Sequence, residues 1–390
     1  MSFSIHPSPS VLLRGILAAG LALPAMAQSP LQIKTDNSSI KFGFLFQPQY
    51  ESVGSPTKDG ESQNFFLRRT RFLMAGTLGS DFEYFFETES ANMGKSDAAG
   101  AKTSATMVVQ DAVITWKAND AFKVDTGLIL IPFAHNSLQS AASLLSWDYY
   151  SYSFSQNGPF ATNVGRDLGV QFRGLIAKKF EYRLGAFQGK RNKEIAATTP
   201  PDPNAPNGLV QSRNAMRIAG RLQYNVFDAE NGMFYAGSYA GAKKILSFGV
   251  GYDKQDDYTG TAYDVFFDWP LANKDVVTFQ LNHVQYDGGT WIALPKQSGT
   301  SAEAGYRFSG MKFSPILRWE KKTFDIHTTT NLDETRIGGG LAFWLKGNNA
   351  NVKIFYNQIK PDNVTVGTPA AMTKQHSYNQ FNVQLQYFIF

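Results

Sequence analysis

The last twelve residues, "NQFNVQLQYFIF" (Asn379–Phe390), alternate with a period of two. Phe381, Val383, Leu385, Tyr387 and Ile389 fall on one side, and Gln380, Asn382, Gln384 and Gln386 on the other. A strand with amides on one face and large apolar groups on the other suits a wall between hydrocarbon and water. Phe388 and Phe390 fall on the amide side, which predicts a bulge or frayed end there.

The same alternation runs backward through the chain. It predicts strands over 40–50, 64–78, 81–90, 107–117, 121–130, 164–175, 179–189, 212–224, 242–254, 260–269, 274–286, 300–308, 311–322, 333–346, 350–359 and 378–390. Their connections are sorted by length. Short ones such as "LGSD" (78–81) and "KAND" (117–120) alternate with long polar ones, notably 91–106, 131–163 and 190–211. Short turns at one end and long loops at the other are the signature of a transmembrane antiparallel β-barrel, here of about sixteen strands by the usual even-number rule. Two connections break the pattern: 225–241 is a long turn at the short end, and 255–259 a short loop at the long end.

Composition agrees. Phe (31) and Tyr (17) are abundant, yet mean hydropathy is −0.26, as expected where lipid-facing and water-facing residues average out. No stretch reaches the ~20 apolar residues of a membrane helix. Residues 1–27 read as a signal peptide: Arg14, an apolar run, then "AMA" at Ala25–Ala27. Residues 28–39 are expected to be a periplasmic lead-in and 40–390 the barrel in the bacterial outer membrane. With no cysteine, thiolate metal sites are excluded. No histidine has ligand spacing and no nucleophile elbow is present, so neither a cofactor nor an enzyme is expected. Net charge of +5 gives no reason to expect a nucleic-acid partner.

Alternation also assigns faces. In "NFFLRRTRFLMAG" (64–76), Arg69 and Arg71 face the lumen, while Arg68 falls with Phe66, Phe72 and Met74 on the lipid side, at a rim or a subunit contact. In "SRNAMRIAGRLQY" (212–224), Arg213, Arg217 and Arg221 share a face with Ala215 and Ala219, so the guanidinium groups are expected to stand open to solvent as a ladder. Arg173, Arg183, Arg307, Arg318, Arg336 and Lys353 also fall on lumen faces, opposed by acids such as Glu87, Asp111, Asp125, Asp264 and Glu320. Arginine forks bind phosphate and carboxylate oxygens, and rings of them make anion pores.

Three segments carry a family resemblance: "FFLRRTRFLMAGTLGSDFEYFFETE" (65–89), "RDLGVQFRG" (166–174) and "YRLGAFQGK" (182–190). They resemble the phosphate-selective porins O and P. The resemblance implies a trimeric, sixteen-stranded channel for small anions such as phosphate or polyphosphate, with outer-membrane lipid and lipopolysaccharide around it. It implies anion contacts at Arg69, Arg71 and Arg166, a constriction acid at Asp111, and a ladder on Arg213, Arg217 and Arg221. It also implies that 131–163 folds inward and narrows the lumen. Plain alternation puts Arg166 on the apolar face unless the loop–strand junction bulges. A general or weakly selective porin is the alternative on the same scaffold.

Overall fold

The computed structural model describes residues 31–55, 60–97, 99–151, 164–190, 215–289, 294–325, 332–361 and 376–390, with the backbone of 365–366 and 373–374. The expected signal peptide and Arg213 lie outside the described residues.

Sixteen strands form the wall: β1 (Ser38–Gly54), β2 (Glu61–Leu78), β3 (Phe82–Met93), β4 (Val108–Asn119), β5 (Phe122–Leu130), β6 (Arg166–Ile176), β7 (Phe180–Phe187), β8 (Arg217–Asn225), β9 (Ile245–Gln255), β10 (Tyr258–Pro270), β11 (Val276–Asp287), β12 (Gln297–Arg307), β13 (Phe313–Phe324), β14 (Glu334–Phe343), β15 (Ala350–Pro361) and β16 (Tyr378–Ile389). Each pairs antiparallel with the next in sequence, and β16 returns to β1 through pairs such as Phe46↔Tyr387 and Gln49↔Gln384, so the sheet has no edge. Closure lets ladder N–H and C=O groups pair all the way round the wall, the condition for a sheet to stand in lipid.

The period-two pattern is plain in β9. Ile245, Ser247, Gly249, Gly251, Asp253 and Gln255 are inside, whereas Phe248, Val250 and Tyr252 are exposed outside. The outer surface carries Phe65, Phe72, Leu222, Tyr263 and Leu317, all more than half exposed, which is the apolar belt of a lipid-facing barrel.

At the chain end no bulge is formed. The β1–β16 register runs unbroken from Val53↔Gln380 to Phe44↔Ile389. Phe388 and Phe390 keep their inward parity because the lumen at the short-turn end is apolar: they pack against a cluster of Leu45, Leu73, Phe85, Ala141 and Ala142. Farther along the same seam the amides bond one another, Gln47 to Gln386 at 2.7 Å and Gln49 to Asn382 at 3.1 Å.

The two anomalous connections are real. Asp256 and Asp257 alone join β9 to β10, with Asp256 at a left-handed φ of 52°. Residues 226–244, at the short-turn end, turn back into the lumen. There they meet residues 131–151, which follow β5 from the opposite end. The Tyr235 N–H donates to Leu138 O (2.9 Å), Ser140 N–H to Tyr235 O (2.9 Å) and Gly237 N–H to Ser143 O (3.1 Å). A backbone seam thus joins two connections that enter from opposite ends. Glu230 and His135, both fully buried, add a side-chain bond at 3.0 Å, and the His135 ring stacks on Phe266 and Tyr235. Burial would raise the Glu230 carboxyl, but His135 beside it holds it below the ordinary range. Such a depressed carboxyl stabilises the fold above its unfolded pKa, and that contribution fades as pH falls below it.

Glycines permit the close approach of 131–151 to the wall. A Cβ on Gly251 would sit 2.3 Å from Phe133 O, a backbone atom that cannot swing aside. Gly251→Val is expected to weaken the docking of 131–151 by about 1–3 kcal/mol, as overpacking does. Chymotrypsin cleavage within 131–151 should accelerate while the barrel retains heat-modifiable gel mobility; unchanged cleavage would contradict the packing.

Candidate functional site

The inward faces of the wall carry arginines, and nearly all those predicted from sequence are described. Arg217 and Arg221 do face inward, at 4% and 1% exposure, so they do not stand open to solvent. Arg217 Nε donates to Asp253 Oδ1 at 2.8 Å. Arg221 forks onto both oxygens of Asp264 (2.6 and 2.7 Å) and also donates to Phe133 O at 3.0 Å. The small alanine at 219 does leave room, but the cross-strand acids and 131–151 fill it. The register explains this: Arg221 pairs with Gly251 and Asp264 follows two strands away behind Gly249. Desolvated charges need such partners, because an unpaired one costs several kcal/mol. Arg173 is likewise held by Asp125 at 2.6 Å, and Arg183 by Glu181 at 2.6 Å and the carbonyls of Gly232 and Met233. Arg221 thus ties 131–151 to the wall and Arg183 ties 226–244, whereas Arg173 and Arg217 pair within the wall.

A second group surrounds a cavity of about 520 Å³ toward the long-loop end. Six arginines line it, namely Arg68, Arg69, Arg71, Arg166, Arg318 and Arg336, against three carboxylates, Glu89, Asp148 and Glu320. Trp147, Tyr149 and Tyr150 form part of the lining. Arg71 bonds Glu87 and Glu89, each at 2.5 Å. Arg166 forks onto Asp111, at 3.2 Å for each contact. Arg318 bonds Glu320 (2.8 Å) and the carbonyls of Asp148 (2.7 Å) and Tyr149 (2.6 Å). Arg336 bonds Glu334 (2.5 Å) and Ser151 Oγ (2.7 Å).

Of the sequence-predicted residues, the cavity therefore gathers Arg69, Arg71, Arg166, Arg318 and Arg336. It leaves out Arg173, Arg217 and Arg221, and Asp111 reaches it only through Arg166. Alternation failed at Arg68. The β1–β2 register shifts at Gln47/Pro48, where Arg69 pairs with Gln47 and Leu67 with Pro48, so Arg68 is the extra residue of a β-bulge. Parity reverses across it. Phe66 is inside, at 3% exposure, and Arg68 reaches Asp148 at 2.7 Å rather than a rim or a subunit contact. The proline at 48, which cannot donate to a ladder, was the sequence signal for that irregularity. Arg166 is buried beside inward-facing Asp167, so both residues at the start of β6 lie inside. Asp148, the other residue missed, sits in "SWDYYS", where nothing in strand periodicity could point to it. Burial would raise its carboxyl, but Arg68 and Arg69 hold it well below the usual carboxylate range.

Replacing both Arg217 and Arg221 by alanine strands Asp253 and Asp264. Each change is expected to cost about 3–5 kcal/mol, the usual loss on breaking a buried pair from one side. The unfolding midpoint in detergent should drop accordingly; an unmoved midpoint would mean that the pairs carry no stability.

Residues 40–200 match the model of the family described as phosphate-selective porin O and P. No curated protein matches the chain. Among solved structures, similar barrels include OmpF of Salmonella typhi (TM-score 0.58, 12% identity, covering 92% of this chain and 100% of that one). DcaP, an outer membrane channel of Acinetobacter baumannii, is also similar (0.53, 11%, 93% and 100%). So is OmpT, an outer membrane protein of Vibrio cholerae, in a structure described as its trimer form (0.51, 13%, 90% and 100%). Sixteen closed strands, an apolar outer belt and a polar inner wall give the chain the fold of the outer-membrane porin barrels, and its residues 40–200 match the phosphate-selective porin O and P family.

Proposed function

We propose that the barrel is a passive channel for small anions, of the phosphate or polyphosphate class, and that the arginine-lined cavity is where they are selected. The observation that carries this reading is the gathering of six arginines around a cavity of about 520 Å³, with Glu89, Asp148 and Glu320 in its lining and Glu87, Asp111 and Glu334 paired behind it. A low-dielectric wall focuses such a field and concentrates counter-ions inside it. Guanidinium groups spaced around the cavity offer several weak sites, which favours passage over trapping. The family match over 40–200 supports phosphate as the anion class.

In this reading residues 131–151, carried across the lumen, narrow the path and set the floor of the cavity. The arginines of the wall divide in two: Arg69, Arg71, Arg166, Arg318 and Arg336 act on the anion, and Arg173, Arg217 and Arg221 act on structure. Asp111 is a positioning acid for Arg166. The general-porin alternative draws on the close pairing of both sets with carboxylates, because paired arginines contribute little net field. The trimer form of the Vibrio cholerae protein supports a homotrimer here too, set among outer-membrane lipid and lipopolysaccharide.

The test is reversal potential in planar bilayers across a KCl gradient. Anion preference is expected, with chloride current blocked by added phosphate; a cation-preferring sign would exclude an anion channel. Arg71→Gln with Arg336→Gln should lower the anion-over-cation permeability ratio by about threefold or more, the loss of two charges from a focused field. An unchanged ratio would place selection elsewhere in the barrel.

A further inference from the structure

The cavity holds one feature that a plain ring of arginines lacks. Residues 131–151 contain a single acid, Asp148, and its carboxylate lies among the arginines. Arg68 Nε donates to Oδ2 at 2.7 Å and Arg69 Nη2 to Oδ1 at 2.5 Å. Two guanidinium groups, brought side by side by the bulge, each hold one oxygen. That is how arginines hold a free carboxylate or phosphate. From the opposite wall, Arg318 donates to the backbone oxygen of the same residue.

We propose that Asp148 is a tethered counter-ion in the anion path: its carboxylate occupies the place between Arg68 and Arg69 that a permeating oxyanion takes, and exchange between the two sets how tightly anions are held. This rests on the anion reading given above and adds a specificity-determining residue to it.

The physical case is one of competition. Conduction needs sites that bind strongly enough to admit an ion and weakly enough to release it. Without Asp148, two carboxylates would face six arginines in the cavity, and an oxyanion between Arg68 and Arg69 would be held as a charge-assisted fork. A resident carboxylate on the same donors makes entry an exchange, in which one anion replaces another and little net desolvation occurs. Its carrier matters too. Glu87 and Glu89 stand on β3 and neutralise Arg71 from the wall itself. Asp148 stands on a connection fastened by Lys353 Nζ to Leu144 O (2.6 Å) and Ser146 O (2.8 Å), so its side chain can leave the arginines without breaking a ladder bond.

The experiment uses the full chain in planar bilayers, with inorganic phosphate as the probe. In Asp148→Asn the phosphate concentration that halves the chloride current should fall by about tenfold or more, as when a bound competitor is removed, and the anion-over-cation ratio should rise. An unchanged or higher half-blocking concentration overturns the proposal. So does a larger conductance with no gain in phosphate affinity, which would make Asp148 only a fastener of 131–151. Arg68→Gln with Asp148→Asn removes one charge of each sign and should return the block to within about threefold of the native channel, because the local charge balance is restored. That double variant also carries the test where the single one does not assemble, and a departure beyond that range in either direction overturns the proposal. A native channel with cation preference, or without phosphate block, would sink the anion reading itself; an anion-selective native channel with an indifferent Asp148→Asn sinks this proposal alone.

Discussion

A strand in hydrocarbon has no water with which to satisfy its backbone, and everything in this barrel follows from that constraint. It requires each of the sixteen strands to have a neighbour on both sides, and so requires Phe44–Val53 to find Gln380–Ile389 across the whole length of the chain. Once the sheet is closed, alternate residues must face lipid or lumen. Charged groups are then confined to a narrow interior, where acids and bases meet at short range. The ion pairs Arg221–Asp264, Arg217–Asp253 and Arg173–Asp125 are consequences of closure rather than separate inventions.

The interior is neither uniformly wet nor uniformly polar. Residues 131–151 come from one end and 226–244 from the other, and they join through backbone hydrogen bonds within the lumen. Around that seam the wall turns inward residues of a different kind: Leu45, Leu73, Phe85, Val113 and Ile129 pack with Met233 and Phe234. Above it lies the arginine-rich cavity. The interior therefore holds apolar clusters and buried ion pairs side by side. Outside the cavity, Arg221 and Arg183 bond carbonyls of the two connections, and Arg173 and Arg217 pair with acids of the wall.

How much was legible in the sequence can be read from particular residues. Ile218, Leu222 and Tyr224 lie outside and Arg217 and Arg221 inside, as alternation requires of β8. All sixteen strands fall where period-two patterning placed them, with ends shifted by a few residues. Arg68 was misplaced because one extra residue reverses parity, and a bulge is invisible to a rule that counts by twos. The openness of Arg217 and Arg221 was misjudged because the spacing of alanines along one strand says nothing about what arrives from elsewhere. Asp148 carried no signal, since its partners stand 79 and 80 residues away.

The sequence by itself determined the wall. Side-chain direction along a strand has a fixed period of two, and lipid penalises every violation, so local order suffices to specify strand, face and barrel. Only the tertiary structure decided which cations fasten and which line the cavity. That depends on the path of two connections through the lumen and on one bulge opposite Pro48, which are set by packing across the barrel and not by any local repeat.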